Sequence, residues 1–168
     1  MDDGDKDPLV AQAKGLLVAT ADYGDAALDA NVQQVLAILR TQMRMDVVFV
    51  SKFEDGKRKF KLVETTPEHD VLRAGQADPI EQSWCHHVVN GRLPELIQDA
   101  APLRASGAAP ATPLEIGTHL SVPLVLKNGV VYGTLCAFAF HVDDAVTLRD
   151  VWRLRAVADV IANRIDPR

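Results

Sequence analysis

The stretch from Thr118 to Phe140, THLSVPLVLKNGVVYGTLCAFAF, constrains the fold more than any other part of the chain. Two runs rich in β-branched and aromatic residues flank Lys127-Asn128-Gly129, a short polar turn. That pattern predicts an antiparallel hairpin. Side chains alternate across a strand, so His119, Ser121 and Pro123 share one face and Leu120, Val122 and Leu124 the other. On the second strand, Thr134, Cys136 and Phe138 lie opposite Leu135 and Ala137. One sheet face is therefore aliphatic and needs an apolar cover. The other mixes His, Ser, Thr, Cys and Phe, which suits a partly polar cavity.

The remaining segments fit around this hairpin. Residues 1–7 read as a disordered acidic tail, too polar to offset its ordering entropy. Residues 8–25 form a helical extension, with Leu9, Val10, Ala13, Leu16 and Leu17 at helical spacing from Pro8 to Val18. A clearer helix covers about 26–43. DVVFVSKF and KRKFKLVETT then read as strands joined at Asp55-Gly56, a strong hairpin signal. Residues 67–80 are loop or short helix. Glu81 to Val89 is helical and is stopped at Asn90-Gly91. LPELI (93–97) is a short strand, and 101–115 a long loop with room for one helical turn. Thr147 and Asp150 predict a reciprocal cap for a last helix to about 165, with Leu148, Val151, Trp152, Val157, Val160, Ile161 and Ile165 on its apolar stripe. The order argues for an α+β fold, one antiparallel sheet with helices packed on it.

Composition narrows the function classes. The net charge of −5 comes without a basic stripe, so no nucleic-acid partner is expected. No apolar run approaches the roughly 20 residues of a membrane span, and no membrane partner is expected. The acidic start lacks the features of a signal peptide, so a cytoplasmic location with both cysteines reduced is expected. Cys85 and Cys136 are too far apart in sequence to write a zinc or C-x-x-C motif.

Four pieces in order, VVFVSKFEDGKRKFKLV, WCHHVVNGRLPELIQDA, IGTHLSVPLVLKNGVVYGTLCAFAF and LRDVWRLRAVADVIANRI, resemble a GAF domain over residues 26–166. That superfamily includes the small-molecule-sensing domains of phytochromes and phosphodiesterases. The resemblance implies a central antiparallel sheet of about five or six strands, terminal helices on one face, and a ligand pocket under a helix and loops on the other. It also implies that Phe49 and Ser51 of the first strand join the pocket face, and that Asp99 stands at the pocket rim.

Within that frame, the ligand-binding candidates are Phe49, Ser51, Trp84, Cys85, Asp99, His119, Ser121, Thr134, Cys136 and Phe138. The Cys85-His86-His87 triplet invites a metal reading, but adjacent histidines on a helix point about 100° apart and serve one ion poorly. No metal is expected there; Cys85 reads as a small residue facing the interior. For Asp99 the competing reading is an Asx turn that orders the following loop. The cofactor is left unknown. The bilin-anchoring cysteine of phytochrome-type domains has no counterpart in ATPLEIG, and the bilin histidine corresponds to about Phe138. The cyclic-nucleotide residue set is missing, and haem would depend on His119 as axial ligand. The leading expectation is a non-enzymatic sensor that binds an unidentified small molecule, forms a homodimer through its terminal helices and signals to an effector protein. The alternatives are a thiol-dependent enzyme resembling free methionine sulfoxide reductase, acting through Cys85 or Cys136, and a dimerisation module with a vestigial pocket.

Overall fold

The computed structural model describes residues 7–17, 20 and 22–167. Residues 1–6 of the tail expected at 1–7, and the expected helix end at Val18, lie outside the described residues; Asp7 does not follow the tail expectation. Asp7 is buried: it caps helix α1 (Pro8–Leu16), its carboxylate accepting from the amides of Leu9 and Val10. A 3₁₀ turn at Gly24–Ala27 leads to α2 (Ala30–Gln42), capped by Asp29. This helix is shorter at its start than the periodicity suggests, because Asp29 offers its side chain to the amides of Asn31 and Val32.

The sheet has six strands: β1 (Val47–Glu54), β2 (Lys57–Thr65), β3 (Ala77–Pro79), β4 (Leu96–Ile97), β5 (Thr118–Val125) and β6 (Val131–Ala139). Its order is β3-β2-β1-β6-β5-β4, and every pairing is antiparallel. The β1–β2 hairpin turns at Asp55 and Gly56, whose φ values of 55° and 72° provide the left-handed pair that a tight two-residue hairpin requires. Gly133 lets β6 approach β1: a Cβ there would lie 1.8 Å from the Ser51 carbonyl oxygen.

Helix α5 (Leu148–Ile165) begins at the expected reciprocal cap of Thr147 and Asp150. Its buried stripe is Val151, Leu154, Val157, Ala158, Ile161, Ala162 and Ile165. Leu148 and Trp152, expected on that stripe, instead stand outward, 69% and 54% exposed. The small Ala158 and Ala162 provide the contact surface in their place. The aliphatic sheet face, with Val48, Val50, Leu120, Val122, Leu124, Leu135 and Ala137, packs against α1, α2 and α5 in one core. Among the described residues no helix is long and apolar enough to cross a membrane.

The opposite face is covered by α3 (Trp84–Val89), a 3₁₀ turn at Ile80–Gln82 and the segment around 109–116. Two expectations change here. The strand at 93–97 shrinks to Leu96–Ile97, since Pro94 has no amide to give a ladder. The 101–115 loop holds a full short helix, α4 (Ala101–Ser106), ending at Gly107 with φ 80°.

Candidate functional site

The cavity face of the sheet is built from alternate residues of β1, β5 and β6, as the hairpin pattern implied. Pairing sets Phe49 opposite Cys136, Ser51 opposite Thr134, His119 opposite Phe138 and Ser121 opposite Cys136. Of these, Phe49, Cys136 and Phe138 form a second core with Trp84 and Cys85 of α3, separate from the helix-covered one. Trp84 is anchored by its indole N–H, which donates to the Pro110 carbonyl at 2.8 Å. That bond ties α3 to the loop closing the cavity.

A cavity of about 90 Å³ lies between this face and its cover. Phe49, Trp84, His119 and Phe138 line it, joined by Arg58, Asp78, Gln82 and residues 111–114. The volume is well below the roughly 300–1000 Å³ of drug-sized pockets. Aromatic rings dominate the wall: His119 lies 5.4 Å from Trp84 and stacks near-parallel to Phe138 at 6.4 Å.

Of the other candidate residues, Cys85, Cys136, Ser121, Thr134 and Ser51 are buried one layer behind the wall. Ser51 and Thr134 hydroxyls meet at 2.7 Å. Asp99 does not join them. It is exposed and accepts from the Ala101 amide at 3.0 Å, so it orders the start of α4 instead of standing at the cavity wall. His86 and His87 are half-buried on the sides of α3; the His86 ring meets Phe53 edge-on, and His87 Nδ1 lies 2.9 Å from the Ser83 carbonyl.

Behind the wall the sequence-distant thiols meet. Cys85 and Cys136 Sγ lie 2.6 Å apart, and Ser121 Oγ lies 3.0 Å from Cys136 Sγ. Arg58 donates to Cys85 Sγ at 3.4 Å, and its other nitrogens donate to both Asp78 oxygens at 3.0 and 2.5 Å. The guanidinium also lies over the Phe60 and Phe49 rings at 4.7 and 5.5 Å. Burial alone would push the Cys85 thiol up, but the Cys136 hydrogen bond, the Arg58 charge and His119 together hold it well below its ordinary value. Burial and the Cys85 charge push Cys136 well up. The two titrate as one unit that gives up its first proton readily and keeps its second.

Arg58 was absent from the sequence-derived candidates. In KRKFKL it looks like one of several solvated cations. The usable signal is its alternation with Phe60: both point to the inner face, while Lys57 and Lys59 fall on the other.

A family model for the GAF domain matches residues 25–166. No curated protein matches the sequence. Among solved structures, the GAF domain of a phosphoenolpyruvate-protein phosphotransferase from Coxiella burnetii superposes with a TM-score of 0.72 at 15% identity, over 94% of this chain and 90% of that one. A free methionine-R-sulfoxide reductase from Neisseria meningitidis, solved with its substrate, gives 0.70 at 15% identity over 92% and 84%. The bacteriophytochrome RpBphP3 of R. palustris gives 0.68 at 13% identity, over 94% of this chain and 36% of that one. Further reductases of the Neisseria kind also match. The expectation that the chain is not an enzyme is thereby corrected, because the fold it shares is used for catalysis as well as for sensing. The sheet order, the helices on one face and the matched segment agree, and the chain belongs to the GAF domain family.

Proposed function

We propose that this GAF domain is a small-molecule sensor whose ligand occupies the cavity between Arg58, Trp84, His119 and Phe138. One observation carries the reading: a guanidinium fixed by Asp78 and packed over two aromatic rings, its side chain 13% exposed, faces a cavity lined by Phe49, Trp84, His119 and Phe138. Arginine has five N–H donors, and Asp78 and Cys85 take one each from Nε, Nη1 and Nη2, which leaves the remainder for a ligand. Phe49, Trp84 and Phe138 supply flat apolar surface. The matching ligand is small, with a planar or aliphatic body and one anionic or hydrogen-bond-accepting group. The remaining candidates, Ser51, Cys85, Ser121, Thr134 and Cys136, would support that wall from behind. We further propose that the chain works in the cytoplasm, where thiols stay reduced. Binding would be passed on through a homodimer of terminal helices to an effector protein, with Leu148 and Trp152 as the outward apolar positions of α5.

A thermal-shift series with small carboxylates, amino acids and their sulfoxides tests the ligand reading. A ligand at 100 times its Kd adds about 2.7 kcal/mol, or roughly 5–10 °C for a domain this size. Arg58→Met should abolish the shift. A series in which no compound raises the Tm of the wild type refutes the reading.

The thiol contact favours a second reading, a reductase of small sulfoxides. Cys85 thiolate would attack the sulfoxide sulfur as the oxygen takes two protons and leaves as water; Cys136 would then attack Cys85 Sγ, breaking its bond to the thioether sulfur. The products are the thioether, a Cys85–Cys136 disulfide and one water, and an external dithiol restores the thiols. Arg58 and His119 stand between cavity and sulfur, so turnover requires them to shift. The assay is methionine sulfoxide reduction with a dithiol. Equal rates in wild type, Cys85→Ser and Cys136→Ser remove this reading.

A further inference from the structure

Cys85, His119 and Cys136 come from α3, β5 and β6, and no two are near in sequence. Their donor atoms nonetheless lie within 4.8 Å of one another, and all three residues are buried. We propose that these three side chains form a binding site for a thiophilic divalent cation of the zinc type, placed directly behind the cavity wall.

Geometry and charge both lead there. Tetrahedral zinc takes Cys at about 2.3 Å and His at about 2.0 Å, which sets donor atoms roughly 3.5–3.8 Å apart. The observed cluster is already within a small adjustment of that triangle. The sulfurs, at 2.6 Å, are closer than unbonded sulfurs rest and farther apart than the roughly 2.05 Å of a disulfide. A separation about 1 Å wider reaches the spacing of paired zinc thiolates.

His119 provides the second, independent observation. It is 2% exposed, its Nδ1 has no hydrogen-bond partner among the described residues, and one of its ring nitrogens lies within 4.8 Å of both sulfurs. A buried polar atom left unanswered costs about 1–3 kcal/mol, and an ion is one of the agents that answers it. The charges balance as well. Arg58 and Asp78 cancel as a pair, so two thiolates and one divalent ion leave this buried region neutral, which avoids the large penalty of an unpaired interior charge. Three protein ligands leave a fourth position open, the arrangement of reactive instead of purely structural zinc sites. His119 also lines the cavity, which supplies the route in. A bound ion would thus lie within reach of whatever enters from the cavity side.

Cobalt(II) titration of the reduced, metal-free protein tests the site without any cavity ligand. One equivalent should bind, with a near-ultraviolet thiolate-to-cobalt charge-transfer band and intense visible bands of four-coordinate cobalt, both displaced by zinc. Cys85→Ser and Cys136→Ser should each remove most of the charge-transfer band, and His119→Asn should weaken binding at least about 10-fold while keeping some of it. Thiol alkylation of the wild type in denaturant below the unfolding midpoint, where local opening exposes the buried thiols, gives a check that needs no variant: zinc should slow modification of both cysteines. Reduced wild type that takes up no cobalt, or binds it without the charge-transfer band, overturns the site. So does equal alkylation with and without zinc. Failure of every ligand in the thermal-shift series would leave this result untouched.

Discussion

The two faces of the sheet are made from the same strands and do opposite work. Under the helices, Val48, Val50, Leu120, Val122, Leu124, Leu135 and Ala137 meet an aliphatic complement from α1, α2 and α5. That surface is aliphatic, so its energy is largely burial. Across the backbone, the interleaved residues of the same strands are Phe49, Ser51, His119, Ser121, Thr134, Cys136 and Phe138. There the interior holds hydroxyls, thiols, an imidazole and a guanidinium, and it keeps a cavity. Period-two alternation makes the division possible: a strand can put stability on one side and chemistry on the other, and a change on one side leaves the other largely alone.

The sharpest way to break the comparison is to empty the helix side. Leu154 is fully buried at the centre of the α5 contact. Leu154→Ala should cost about 2–5 kcal/mol, read as a lowered denaturation midpoint, while cobalt or ligand binding at saturating concentration stays unchanged in the folded fraction. If binding falls in step with stability in the remaining folded protein, the two faces are coupled and the division is wrong.

On the cavity side the expected effect is smaller in stability and larger in chemistry. Arg58→Met keeps the aliphatic bulk over Phe49 and Phe60 but leaves Asp78, a third exposed at its side chain, without its partner. A loss of about 1–3 kcal/mol is expected, since solvent compensates part of the broken pair. The Cys85 thiol should rise, because the Arg58 charge that helps hold it down is gone. Thiolate absorbance against pH reads this directly. An unchanged titration would show that Cys136 and His119 suffice.

The smallest effect tests the outer edge of the helix side. Asp7 is held below its ordinary value: burial opposes this, but the Arg153 hydrogen bond and the Leu9 and Val10 amides outweigh it. Its folded value lies below its unfolded one, so its stabilisation is complete above about pH 4 and is lost as pH falls through the folded value. Asp7→Asn keeps the helix cap and removes the charge. It should cost about 1–2 kcal/mol near neutral pH, since the carboxylate is nearly enclosed while Arg153 keeps some solvent, and converge with wild type in acid, as measured by denaturation at several pH values. Parallel curves would remove Asp7 from the pH response.

What could be read along the chain was local. The 118–140 hairpin, the Asp55-Gly56 turn and the Thr147–Asp150 cap are each decided by neighbours a few residues apart, and each formed where the pattern placed it. The inward turn of Cys85 was legible for the same reason: Trp84, Cys85 and Val88 fall on one side of a short helix. Leu148 and Trp152 were misplaced because periodicity weights large apolar residues, whereas the buried side of α5 runs through Leu154 and the small Ala158 and Ala162. Arg58 escaped notice because a cation in a lysine-rich strand carries no mark of burial.

The sequence alone settled which residues share a strand face and where helices begin, since those depend on steric period and capping within one turn. Only the tertiary structure decided that α3 docks on that face so as to set Cys85 against Cys136, 51 residues away, beside His119 and Arg58. Such proximity depends on the order of strands and the seating of a helix across them. Those are long-range choices fixed by the packing of the whole domain, and no short window of residues records them.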